Sequence, residues 1–269
     1  MKVMLPKEHG SWAVLLAPVV AGFAAAGGGS PIVILLFSCA ALGGFLLRPP
    51  LQSLVSPKPD SGAWTSLALY GLLALGGTLP LLLAFGRLGL LGFAAPAGAL
   101  LAMDLFVHRG KRSFSMATEL SGIAILCLGA PAAFYTALGI LTLDAWCVWA
   151  LSALFFAGPV FHVKMAALQH RASADRSLAR ELERMRRISL AYHSLVLSAV
   201  VAAAAFSLVP IPAPLPFALA LAKTWRRGAR PPAKVDFRRL GYQEVGYSIF
   251  FAVVLAAGYL VRSNLLRSK

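Results

Sequence analysis

Charge is what this sequence has least of. Only 13% of its 269 residues are Asp, Glu, Lys or Arg, about half the roughly 25% found in water-soluble domains. A chain so poor in charge cannot face water over most of its surface, which excludes an ordinary soluble domain. Acids are scarcer still, ten against 25 Lys and Arg, for a net charge of +15. Cysteine is limited to Cys39, Cys127 and Cys147, each alone inside an apolar run. They offer neither metal-ligand spacing nor a disulfide framework and read as small packing residues. Phosphate loop, dinucleotide fingerprint, nucleophile elbow and metalloprotease helix are all missing. The sequence therefore assigns no metal ligands and leaves any cofactor undefined.

Apolar length is what the chain has in excess: 59% of it is hydrophobic, with a mean hydropathy of +0.76. A bilayer core is crossed by about 20 apolar residues in helix. Nine stretches approach that length: 11–26, 31–47, 64–85, 88–107, 115–138, 144–162, 188–209, 211–224 and 244–261. They predict an all-α fold, a polytopic transmembrane bundle of about nine helices forming one integral membrane domain over residues 1–269. The eighth stretch is short and opened by Pro210, Pro212, Pro214 and Pro216, a pattern that also fits a re-entrant segment. The first has Lys2 and Lys7 before it and Ala24-Ala25-Ala26 at its end, like a signal peptide. With eight spans after it, it reads as a retained helix.

Cation placement sets the expected orientation. If the N-terminus and the exits of even-numbered helices share a side, that side holds 21 of the 25 Lys and Arg. Arg87, Arg262, Arg267 and Lys269 remain opposite. The crowded side is then cytoplasmic and the protein belongs in a cytoplasmic membrane. This explains a pI near 10.5 without nucleic acid, which is excluded as a partner; membrane lipids are expected instead. All five histidines and nine of the ten acids fall on the same side. Asp104, Glu119, His193 and Glu244 lie within apolar runs, where polar groups are costly and face the bundle interior. The combination predicts a polar cavity open to the cytoplasm.

Several constellations could furnish that cavity. Lys7-Glu8-His9-Gly10-Ser11-Trp12 is either an interfacial anchor or a source of acid–base groups, Glu8 and His9. Asp104 and His108 stand four apart on one helix face, ahead of Arg109, Lys111 and Arg112, with Glu119 opening the next helix. Such a group could bind an anion or be an ordinary positive loop with a helix-end salt bridge. Residues 173–187 are long enough for a separate amphipathic helix on anionic headgroups, with Glu183 supporting Arg187 at four-residue spacing. The candidate proton carriers are Glu8, His9, Asp104 and Glu119. The candidate ligand-holding residues are Lys7, Arg48, His108, Arg109, Lys111, Arg112, His162 and Lys164.

The opening Pro6-Lys7-Glu8-His9-Gly10-Ser11-Trp12-Ala13, with Arg48-Pro49-Pro50 after the second helix, resembles the YwiC-like family of bacterial membrane proteins. That likeness implies a bacterial inner membrane but no reaction. More distantly, nine helices with polar cytoplasmic loops, and Lys111-Arg112-Ser113-Phe114 followed by Glu119 and Gly122, resemble the UbiA prenyltransferase superfamily. A UbiA-like architecture is what the resemblance implies. The two aspartate-rich motifs that hold Mg²⁺ and prenyl diphosphate in that superfamily are missing. The first region offers Asp60 alone, and the second His162, Lys164, His170 and Asp175; clustered carboxylates are what Mg²⁺ requires. The expected function is binding of an amphiphilic or anionic ligand, phosphate-bearing or lipid-like, in the cytoplasm-facing cavity. It includes the option of a divergent transferase without the Asp motifs. The alternative is a small-solute or ion transporter working through intramembrane acids and histidines.

Overall fold

The structure, a computed structural model, describes residues 3–6, 9–109, 116–172, 175–229 and 236–267. Gly, Pro and charge cut the apolar sequence into helices: α1 (His9–Ala25), α2 (Pro31–Leu46), α3 (Arg48–Leu54), α4 (Ala63–Leu83), α5 (Leu90–Arg109) and α6 (Met116–Leu126). The series continues with α7 (Gly129–Leu138), α8 (Leu143–Ala172), α9 (Ala179–Ala205), α10 (Pro214–Ala229) and α11 (Phe237–Arg267). There is no strand among the described residues. Seven segments are long and apolar enough to cross a bilayer: α2 with α3, α4, α5, α6 with α7, α8, α9 and α11. The chain is a multi-pass membrane protein.

The two remaining helices explain their own shortness. At 17 and 16 residues, α1 and α10 reach about 24–26 Å at 1.5 Å per residue, less than the roughly 30 Å hydrocarbon core. Helix α1 sits inside the bundle against α7, α8 and α11. Leu15, Ala17, Val19, Ala21, Phe23 and Ala24 are all buried along it. Buried against protein on most sides, with Leu16 and Val20 left exposed on one face, it has less need to match the lipid. It ends where Gly27 and Gly28 take φ of +77° and +98°, a conformation glycine adopts without Cβ strain. Ser30 then caps α2 by accepting from the Val33 N–H.

The first half of the bundle is closed by small residues. Gly43 on α2 lies against the Ala74 backbone, while Gly77 on α4 lies against Leu36 and Ala40 of α2; Gly22 of α1 meets the Ala130 carbonyl of α7. In each case a Cβ would strike main chain, so these are close backbone approaches of the kind that bind helices in lipid. The second half packs through rings. Phe155 stacks on Phe251 with centroids 4.2 Å apart, and Phe156 and Phe217 meet them edge-on at 5.4–6.1 Å.

Three elements differ from the sequence reading. Residues 173–187 do not make a separate amphipathic helix: α9 runs unbroken from Ala179, so its basic stretch is the start of a span. Glu183 does hold Arg187, at 3.0 Å, as well as Arg186 at 3.5 Å. Arg48-Pro49-Pro50, after the second predicted span, opens a short further helix, α3, where proline is well placed in the first turn. The fifth predicted span is two helices, broken between Leu126 and Gly129 two residues ahead of Pro131.

Candidate functional site

Chain direction alternates through the bundle, and cross-helix contacts identify one polar end. The Met4 carbonyl accepts from Tyr70 Oη at 2.7 Å and the Met4 N–H donates to Ser66 Oγ at 3.1 Å, tying the N-terminal segment to the start of α4. Arg48 on α3 grips Asp104 on α5 through Nε and Nη2, both at 3.0 Å, and Gln52 adds a third bond at 2.7 Å. Lys164 on α8 meets Glu119 on α6 at 3.0 Å. Lys223 on α10 places Nζ 2.7 and 2.8 Å from the two oxygens of Glu244 on α11. The opposite end is poorer in charge. There Arg87 donates to the Thr136 and Ala137 carbonyls, and Arg262 to the Leu208 carbonyl beside Asp144.

The three ion pairs of the polar end differ in burial, and so in energy. Lys164 and Glu119 are 31% and 37% exposed, which places their pair with surface bridges worth roughly 0–1 kcal/mol. Asp104 is buried and its Arg48 is one-third exposed. Lys223 and Glu244 are only 11% and 13% exposed. Breaking a pair of that kind costs about 3–5 kcal/mol, because the survivor is left charged and unpaired. Lys223 also lies 4.5 Å over the Tyr247 ring.

Around that buried pair lies a polar layer shared by four helices, and register places it. Gly158 of α8 abuts His193 of α9, and Gly228 of α10 abuts Arg186 of α9. Because α9 runs against both neighbours, one turn along brings His162 and Thr224 to the level of Ser189. Glu244 reaches the same level through Lys223. His162, Ser189 and Thr224 are 1%, 0% and 0% exposed. Yet His162 Nδ1, Ser189 Oγ, Thr224 Oγ1 and Arg227 Nη1 have no hydrogen-bond partner among the described residues. His193, one turn deeper, places Nδ1 2.7 Å from the Ser189 carbonyl; since a carbonyl only accepts, Nδ1 carries the proton. Below the layer come the stacked phenylalanines.

The sequence-predicted residues divide accordingly. Asp104 and Glu119, read as proton carriers, are each occupied by a cation, Arg48 and Lys164, read as ligand-holding. One pair joins α3 to α5 and the other α6 to α8. His162 is in the polar layer. Lys7, Glu8, Lys111 and Arg112 lie outside the described residues, as do the side chains of His9, His108 and Arg109, whose backbones open α1 and close α5. Trp12 packs edge-on against Phe45, centroids 5.2 Å apart. Among the described residues no three His, Cys, Asp or Glu side chains gather as a metal site would require. Sequence reasoning passed over Lys223, Thr224, Arg227 and Ser189, although Glu244 and His193 inside apolar runs were the available signal.

An open groove of about 380 Å³ lies away from this layer, at the opposite end, between Pro210–Pro212 and Gly258–Arg262. Its lining is apolar apart from Ser207 and Arg262, whose guanidinium is already engaged.

Residues 5–134 match the family model described as YwiC-like protein. Over those residues the chain is similar to the YwiC-like family. It is also 26% identical over 164 residues to the "Uncharacterized protein YwiC" of Bacillus subtilis (strain 168), covering 61% of this chain and 67% of that protein. No solved structure matches. The YwiC-like match spans α1 to most of α7, so the four-helix polar layer lies beyond it.

Proposed function

We propose that this YwiC-like protein binds an anionic amphiphile at its polar end, with that end facing the cytoplasm and the protein seated in the bacterial inner membrane. The observation that carries the reading is the group of buried polar atoms left without partners on α8, α9 and α10, beside the Lys223–Glu244 pair: His162 Nδ1, Ser189 Oγ, Thr224 Oγ1 and Arg227 Nη1. Buried polar groups are ordinarily paired, and each one left bare costs about 1–3 kcal/mol. A layer kept bare on several sides at once is suited to an acceptor-rich guest. Surrounding cations favour a negative one, and the apolar faces of the bundle favour one with a tail. The orientation rests on the 21 cations that the helix alternation brings to that side.

The stacked Phe155, Phe156, Phe217 and Phe251 close the layer from beneath, which favours binding over passage. A transferase step of the UbiA kind, acting on the bound head, is compatible with this reading but draws no support from Asp104 or Glu119, both already paired. Mass spectrometry of molecules retained by the detergent-purified protein tests the proposal. An anionic amphiphile is expected with the native protein, and much less of it with Arg227→Gln. Retention of zwitterionic lipid alone, equal in both proteins, would overturn it. Membrane-impermeant labelling of single cysteines placed at Asp175 and Gly139 tests the orientation: Asp175 should be reached only from the cytoplasmic side.

A further inference from the structure

We infer that the four-helix layer is a seat for a phosphate group, and that Glu244 holds Lys223 in its place until that group arrives. The inference deepens the binding reading above and rests on it.

Two hydroxyls point to the guest. A buried serine or threonine within a helix commonly folds its hydroxyl back onto the carbonyl four residues earlier. This chain does so at Thr136, which donates to the Ala132 carbonyl at 2.6 Å, and at Ser248, which donates to the Glu244 carbonyl at 2.8 Å. Ser189 and Thr224, equally buried, do not. They stand on facing helices at one level and leave their protons unused. His162 Nδ1 adds a third unpaired polar atom from α8, and Arg227 Nη1 a fourth from α10, one turn outward.

The shape of the guest follows from these directions. The Ser189 and Thr224 hydroxyls and Arg227 can donate from α9 and α10, and His162 from α8 in the tautomer with its hydrogen on Nδ1, so an acceptor that meets them all presents oxygens on several sides. A planar carboxylate presents two oxygens in one plane; a tetrahedral phosphate presents three terminal oxygens in three directions. Charge gives the same answer. Lys223 and Arg227 set two positive charges against the single carboxylate of Glu244. If Glu244 swings away, Lys223 and Arg227 match a dianion. Glu244 already shows how the seat works, with both oxygens on Lys223 Nζ at 2.7 and 2.8 Å.

Phosphate of this kind could be a lipid headgroup or a free ion, and the test separates them. Purified protein in phosphatidylcholine nanodiscs is titrated with inorganic phosphate, and compared with nanodiscs containing phosphatidic acid or an equal fraction of oleate. Binding is read by thermal stabilisation and tryptophan fluorescence. The inference expects stabilisation by phosphate or phosphatidic acid over oleate. Stabilisation by phosphatidic acid alone identifies a lipid headgroup, and stabilisation by both identifies the phosphate itself. Glu244→Gln, which removes the resident anion but keeps an acceptor, should tighten binding about tenfold. Ser189→Ala with Thr224→Val should weaken it by about tenfold or more, as expected for two bonds to a charged acceptor. The second variant decides the matter if Glu244→Gln fails to fold. Unchanged affinity in it would overturn the assignment. Oleate binding as well as phosphatidic acid would leave the anionic-amphiphile reading standing and sink the phosphate seat. No stabilisation by any of the three would sink both.

Discussion

Helices α2 and α4 are held by backbone against backbone, through Gly43 and Gly77, whereas α8 to α11 meet through phenylalanine, histidine and lysine side chains. The first arrangement leaves no space between helices, and its contact is apolar. The second brings polar and aromatic side chains together between the helices, and among them a layer of unpaired polar atoms survives. Both halves are apolar by composition, so composition does not decide where chemistry can reside. The residues on the facing stripes do: glycine and alanine between α2 and α4, rings and titratable groups between α8 and α11.

The contrast can be broken at either side. The largest effect is expected at the buried pair. Lys223→Ala leaves Glu244 charged and alone, and thermal unfolding in detergent should show a loss of about 3–5 kcal/mol. Lys223→Leu combined with Glu244→Leu should recover most of it; no recovery would mean that the pair has a role beyond mutual neutralisation. Next comes Gly77→Leu, whose side chain would strike the α2 backbone. Overpacking costs about 1–3 kcal/mol, and the same leucine at Gly76, where nothing lies within 4 Å, should cost far less. Asp104→Asn removes the charge that Arg48 grips and should cost about 1–2 kcal/mol, lowered by the exposure of the arginine. Smallest is Glu119→Gln, at or below about 1 kcal/mol. The order of the three polar changes sharpens the comparison. If Glu119→Gln proved as costly as Lys223→Ala, burial would not be what separates the pairs.

Much of the fold could be read from the sequence, because glycine, proline and charge mark the ends of apolar runs in any membrane helix. The stretch 11–26 became His9–Ala25, and 31–47 became Pro31–Leu46. The ends of α8, α9 and α11 were not legible. These helices continue past their apolar stretches into polar segments, Arg- and Glu-rich in α9, with Lys, Arg, Ala and Leu in α8 and Arg and Leu in α11, all good helix formers whether or not lipid surrounds them. The polar layer was legible in its parts alone. His162 was singled out, and His193 and Glu244 were conspicuous as titratable groups in apolar runs, while Lys223 passed as one more loop cation. Their meeting depends on how far each helix slides along its neighbour. That register is fixed by contacts such as Gly158 with His193, and no periodicity within one helix carries it. The same holds for Arg48 with Asp104 and Lys164 with Glu119, each residue noticed singly and paired only by the fold.

Helix α1 is the first described helix to leave the ribosome, and it packs closely on α11, the last. Until α11 enters the membrane, Gly22 and the buried alanines of α1 lack much of their packing. During synthesis α1 must therefore wait, either in lipid that it is too short to span comfortably or beside the insertion machinery. The packing of α1 is complete only once α11 has joined it, so its assembly is bound to the order in which the chain is made.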